Sequence, residues 1–162
     1  MKTGKQVQSD IIALLKNSAL PNAVNGKIYR FGYRPRDSKA EDIIVAFTTG
    51  IPDQIETGVV TINIFIPDIE APDTDNGVML EDGKRSEELE IAAAEFVKSL
   101  TVEKSNYKFN LRQTIYTEAE LEINQHFIVI KLGYDYYYTG GEDISPIRLT
   151  GNGDIRVIRK VN

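Results

Sequence analysis

At 162 residues with a net charge of −5, the chain has the length of one domain and the wrong charge for wrapping nucleic acid over a large surface. A domain of this size buries roughly 70% of its unfolded surface, so it needs no metal or disulfide to hold it together. It has no cysteine, which excludes disulfides, thiolate nucleophiles and cysteine–zinc sites and fits a reducing compartment.

Thr3 to about Ser18 reads as an amphipathic helix. Thr3 and Gln6 form a capping-box pair, and Val7, Ile11, Leu14 and Leu15 make the apolar stripe, widened by Ile12. Pro21 stops it. The apolar residues of this N-terminal stretch are periodic rather than continuous, unlike those of a signal peptide. No apolar run anywhere approaches the ~20 residues of a membrane span.

Lys27 to Tyr33 alternates Ile28, Arg30 and Gly32 against Tyr29, Phe31 and Tyr33, which predicts a strand with an aromatic face. A polar loop with Pro35 follows. The apolar run Ile43 to Phe47 predicts a second strand, and the TTGIPDQIETG segment a connection. The third strand is the clearest in the chain. Val60, Ile62, Ile64 and Ile66 fall on one face, and Val59, Thr61, Asn63 and Phe65 on the other.

Pro67 to Gly77 reads as an acidic loop. A second helix is predicted from about Asp82 or Ser86 to Leu100, with Leu89, Ala93, Phe96 and Leu100 on one face and acids at its start to suit the helix dipole. Lys108 to Thr117 and Gln125 to Tyr134 alternate as strands, joined through Glu118 to Asn124 by a turn or short extended stretch. The predicted order is α-β-β-β-α-β-β. Adjacent strand runs favour antiparallel pairing, so the expected class is α+β, a mainly antiparallel sheet with two packed helices. After Tyr138 the pattern breaks at Gly140, Gly141 and Pro146. Asn152-Gly153 between two apolar runs predicts a C-terminal β-hairpin. The domain is therefore read as residues 1–138, with 139–162 an appended hairpin or arm.

Charge is unevenly placed. Pro67 to Glu90 holds nine acids against Lys84 and Arg85, a local −7. Lys27 to Arg36 carries four bases and no acid, a local +4, and Ile147 to Asn162 a local +3. Solvated loops and helix faces account for such runs. So does self-association, in which a basic surface on one copy meets an acidic surface on the next and builds a ring if the rotation closes.

The search for catalytic chemistry yields little. The single histidine, His126, has no cysteine to share a zinc site with and no G-x-S-x-G nucleophile motif to serve. A structural or surface role fits it. Gly77 to Arg85 has a phosphate-loop look, but it is one residue too long, carries two acids, and has Arg85 where Ser or Thr would bind magnesium. Asp73-Thr74-Asp75-Asn76-Gly77 has the start of a calcium loop, but Gly83 stands where a bidentate Glu is required. Tyr134, Tyr136, Tyr137 and Tyr138 cluster at a strand end, where core edge or protein interface is the better reading. Lys27 to Arg36 with these tyrosines is the best nucleic-acid candidate.

The leading helix (Val7 to Leu15), DIIVAF at 42–47, VVTINIFI at 59–66 running to Asp68, EFVKSL at 95–100 and QHFIVIKL at 125–132 resemble, in order and character, one family. It is that of the phage tail-terminator and tail-completion proteins, with related neck proteins of long-tailed phages and prophages. The resemblance covers Thr3 to Tyr134 and leaves the C-terminal hairpin unmatched. It implies a structural virion protein with no enzymatic activity and no cofactor or metal, found in the host cytoplasm during assembly. Its members form a ring, often a hexamer, on the end of the tail tube and present a surface to the head connector. The expected partners are thus other copies of the chain, tail-tube and head-connector proteins, with no membrane. The candidate interface residues are Arg34, Arg36, Arg156 and Arg159 on the basic side, Asp68, Glu70, Asp73 and Asp75 on the acidic side, and Tyr136 and Tyr138 from the aromatic cluster. Two other readings stay open: a nucleic-acid-associated module using segment 27–36 and the tyrosines, and a hydrolase centred on His126.

Overall fold

A computed structural model describes residues 1–73, 76–100 and 106–137, together with the backbone of 148–149 and 155–156. Helix α1 spans Gly4–Lys16. Its start is the expected capping box: the Gln6 N–H donates to the Thr3 hydroxyl at 3.3 Å, and the Thr3 N–H donates to Gln6 Oε1 at 2.9 Å. Val7, Ile11 and Leu15, four residues apart, form its buried stripe. A short helix α2, Leu20–Ala23, follows, with Pro21 in its first turn. Pro21 therefore opens a helix as well as closing one, since its missing N–H would be unpaired there anyway.

Strand β1 is only Ile28–Arg30, and it pairs parallel with β2, Ile43–Ile51. This corrects the extent of the first strand. The strand does not reach Tyr33, because the chain turns at Gly32 with φ +88°, leaving Phe31 and Tyr33 exposed. The one parallel pair sits within a mainly antiparallel sheet, because the 31–42 loop is long enough to return the chain to the same end of the sheet.

Strand β3, Ile55–Pro67, pairs antiparallel with β2 and, along its whole length, with β8, Gln125–Tyr137. Every even residue of β3 from Glu56 to Ile66 is buried, as the alternation predicts. The turn between β2 and β3 is shorter than expected, because Gly50 and Gly58 lie inside the strands. They face each other and form a row with Tyr134. A Cβ on Gly58 would stand 2.5 Å from both the Thr49 carbonyl and the Tyr134 hydroxyl. These glycines make room for a ring rather than break a strand.

A two-residue pairing of β4 (Ile69–Glu70) with β5 (Met79–Leu80) closes the acidic loop. Helix α3 is Gly83–Ser99, with the Asp82 carboxylate accepting from the Arg85 N–H at 3.1 Å. Its first turn thus carries Lys84 and Arg85, not the expected acids; the cap alone supplies negative charge there. The run expected as one strand from Lys108 to Thr117 is two strands, β6 (Tyr107–Leu111) and β7 (Tyr116–Glu120), both antiparallel to β8. Residues 112–115 bulge opposite 130–131, and Ile115 packs against the core. A 3₁₀ turn at Leu121–Ile123 ends at Asn124, whose φ of +52° suits an asparagine.

The class is α+β: a mixed, mostly antiparallel sheet in the order β1-β2-β3-β8-β6, with β7 beside β6 on β8, and three helices rather than two. Helices α1 and α3 both pack on the face carrying Val45, Val60, Ile62, Ile64, Ile128, Ile130 and Leu132. In the C-terminal segment, β9 (Arg148–Leu149) and β10 (Ile155–Arg156) pair antiparallel; the rest of the expected hairpin lies outside the described residues. Among the described residues no helix is long and apolar enough to cross a membrane.

Candidate subunit interface

The two acids before β2 are both buried, and each holds an arginine. Asp42 is 1% exposed. Its carboxylate accepts from Arg34 Nε at 2.9 Å, from the Lys27 N–H at 2.9 Å and from the Ser38 hydroxyl. Burial alone would raise the Asp42 pKa. The hydrogen bonds from Ser38, Lys27 and Arg34 outweigh it and hold the carboxyl below its ordinary value. Arg34 Nη2 also donates to Gln125 Oε1 at 2.9 Å, and the guanidinium lies 4.1 Å from the Phe65 ring centroid. Arg34 therefore ties the 31–42 loop to the sheet within its own subunit. That corrects its assignment to an open basic surface.

Glu41 is the second anchor. Arg85 grips it with two bonds, Nε to Oε2 at 2.8 Å and Nη2 to Oε1 at 3.1 Å, and Nη2 also donates to the Ala23 carbonyl at 2.6 Å. The Glu41 bonds raise the Arg85 pKa, more than burial lowers it. One guanidinium so joins the start of α3 to α2 and the mouth of β2. Sequence reasoning passed over both acids. The available signal was Glu41-Asp42 directly before the wholly apolar IIVAF: acids at the mouth of a buried strand need partners.

Two more candidates also face inward. The Asp68 carboxylate is buried, 2.6 Å from Nδ1 of His126, and joins the end of β3 to the start of β8. Tyr136 is 2% exposed. It packs 4.8 Å from the Tyr107 ring, with Lys2 Nζ 4.9 Å above it. Tyr107 donates its hydroxyl to Asp10 at 2.6 Å, and burial, then this bond, pushes its pKa well above the ordinary phenol value. Burial and the nearby Glu56 raise Tyr134 in the same way. The tyrosine cluster is thus core at Tyr134 and Tyr136.

Arg36, Glu70 and Asp73 are exposed. Asp75, Tyr138 and Arg159 lie outside the described residues, and Arg156 is described only as backbone in β10. Of the basic segment 27–36, Arg30 also turns inward, donating to Ser9 Oγ at 2.7 Å. Among the described residues no group of three His, Asp or Glu side chains is placed to hold a metal.

What is left open is the sheet itself. Among the described residues, no helix packs on the face carrying Val59, Thr61, Asn63, Phe65, Phe127 and Lys131, which are half-buried, although Ile44 and Val129 on the same face are buried and Arg34 of the 31–42 loop lies over Phe65. Phe65 and Phe127 meet there with ring centroids 5.4 Å apart, while Asn63 Oδ1 is itself buried, with no hydrogen-bond partner among the described residues. Among the described residues, both sheet edges also lack a further strand. β1 covers β2 only from Ile43 to Val45, and no described residue pairs with the outer edges of β6 and β7.

No family model and no curated protein matches this chain. Its own geometry is therefore what bears on its function. Of the candidates with described side chains, Arg34, Asp68 and Tyr136 face inward, and only Arg36, Glu70 and Asp73 are exposed. The geometry offers a face and two edges instead.

Proposed function

We propose that the protein is a structural virion subunit of a phage or prophage, of tail-terminator or tail-completion type, that acts by assembling into a ring on the end of a tail tube. The observation that carries this reading is the half-finished sheet: among the described residues, helices cover one face, the 31–42 loop covers part of the other, and both edges keep backbone groups that a second copy can pair. A ring needs two different surfaces on each subunit, and a sheet with two unlike edges supplies them. The segments shared in order and character with the tail-terminator family support the same reading. It implies assembly in the host cytoplasm, no catalysis, and contacts with tail-tube and head-connector proteins. The nucleic-acid reading loses support, because Arg30 and Arg34 engage partners in their own subunit.

Absolute mass by light scattering, at low and moderate salt and with purified tail tubes added, tests it. A discrete closed oligomer that caps tubes is the expected result. A chain that stays monomeric at all concentrations and ignores tube ends would end the proposal.

A further inference from the structure

The registers place the open parts of the two edges at the same end of the sheet. Phe47 of β2 pairs with Val60, Val60 with Leu132, and Leu132 with Leu111 of β6. Gly50, Gly58, Tyr134 and Phe109 form another such row. Each row thus begins on the uncovered half of β2 and finishes on β6. The first row has an exposed apolar residue at each end: Phe47 is 37% and Leu111 40% exposed.

From the structure we infer that β2 of one copy takes β6 of the next as an added strand, so that the sheet runs on from subunit to subunit. The inference deepens the ring reading and rests on it. Four observations converge. First, the edge from Ala46 to Ile51 has no charge and no proline, the devices that normally blunt an open edge. The other half of that side is covered by β1, and β7 on the far side carries Glu118 and Glu120. Second, polarity fits. β2, β3, β8 and β6 alternate in direction, so β6 of a copy placed alongside in the same orientation runs antiparallel to β2. Third, length fits. A bulge at Thr48 interrupts β2, so its open edge suits a short strand, and β6 has five residues. Fourth, a groove of about 400 Å³ lies beside this edge, lined by Gly4, Gln8, Phe31 and Phe47 among others. It lies where an incoming Leu111 can be buried. Contact between two different edges is heterologous, the kind that makes rings.

The chain has no cysteine, which makes the test direct. Phe47 and Leu111 stand three strand spacings apart in one subunit, roughly 14 Å, too far for a disulfide. Paired across an added strand they come within disulfide range. The Phe47→Cys/Leu111→Cys double variant should therefore oxidise to a ladder of multimers, ending in a closed species of the wild-type mass. On a denaturing gel, reducing agent should return it to monomer, and each single variant should stay uncrosslinked. A Thr49→Cys/Asn110→Cys pair, one row along, checks the register, with thermal melts confirming that each variant folds. A wild-type ring with no ladder from either pair overturns the edge contact and leaves the ring reading standing. Dimers from Phe47→Cys alone overturn it in favour of a two-fold β2 contact. A wild-type monomer with no ladder removes both readings.

Discussion

Gly58 and Asp42 show how single residues carry this structure. Gly58 admits the Tyr134 ring, and a methyl group there would strike the Thr49 carbonyl, which belongs to the backbone and has little freedom to move. Gly58→Ala should cost about 1–3 kcal/mol in urea unfolding. A variant as stable as wild type would show that the row relaxes freely. Asp42 has a folded pKa below its unfolded one, so it binds a proton more weakly in the folded state. Its stabilisation is complete above the ordinary carboxylate value of about 3.9 and is lost as pH falls through that value toward the depressed one. Arg34→Ala leaves the Asp42 charge buried without its ion-pair partner and should cost about 3 kcal/mol at neutral pH. The same variant should flatten the loss of stability on acidification. An acid limb identical to wild type would show that Arg34 does not hold Asp42. Neither role was legible in the sequence. A glycine reads as a breaker until the ring across the sheet is known, and an arginine reads as surface charge until its carboxylate is found.

Elements were legible where one physical pattern governed them. Helix α1 was read correctly because its cap and its four-residue stripe agree. β3 was read correctly because it buries one side of a regular alternation, and the core of β8 because Ile128, Ile130 and Leu132 alternate toward the helices, although Val129 and Gly133 are buried as well. Errors came where tertiary contacts overrode a local pattern: β1 stops at a glycine turn, and β6 and β7 split where Ile115 turns in to the core. Helix α3 begins at Asp82 because that carboxylate reaches the Arg85 N–H. Asp82→Ala should lower stability by about 1 kcal/mol, measured by thermal or urea unfolding. No change would mean that Arg85, through Glu41 and Ala23, fixes the helix start by itself.

Among the described residues, the fold is two-layered, and the far side of the sheet is covered only in part, by the 31–42 loop. That is an unfinished arrangement for a domain able to bury most of its apolar surface, and it is why self-assembly is proposed. Of the charged candidates, Arg36 and Glu70 stay on the surface and belong to opposite local charges. If charge contributes to ring contacts, Arg36→Glu should weaken assembly and Glu70→Lys should do the same. The two together should restore it, with every effect shrinking as salt rises. Oligomer mass across a salt series is the measurement, and mass unmoved by either single variant would confine the contacts to the sheet edges.

By itself the sequence determined the α+β class, the helical faces, the two long central strands and the poverty of catalytic motifs. All of these follow from periodicity and composition, which are properties of neighbours along the chain. Only the tertiary structure decided which charges are surface and which are anchors. Only it decided that β1 runs parallel and that two distant half-strands stand at opposite ends of the same rows. Burial and strand pairing join residues far apart in the chain, and nothing local in a sequence records which partner each residue meets.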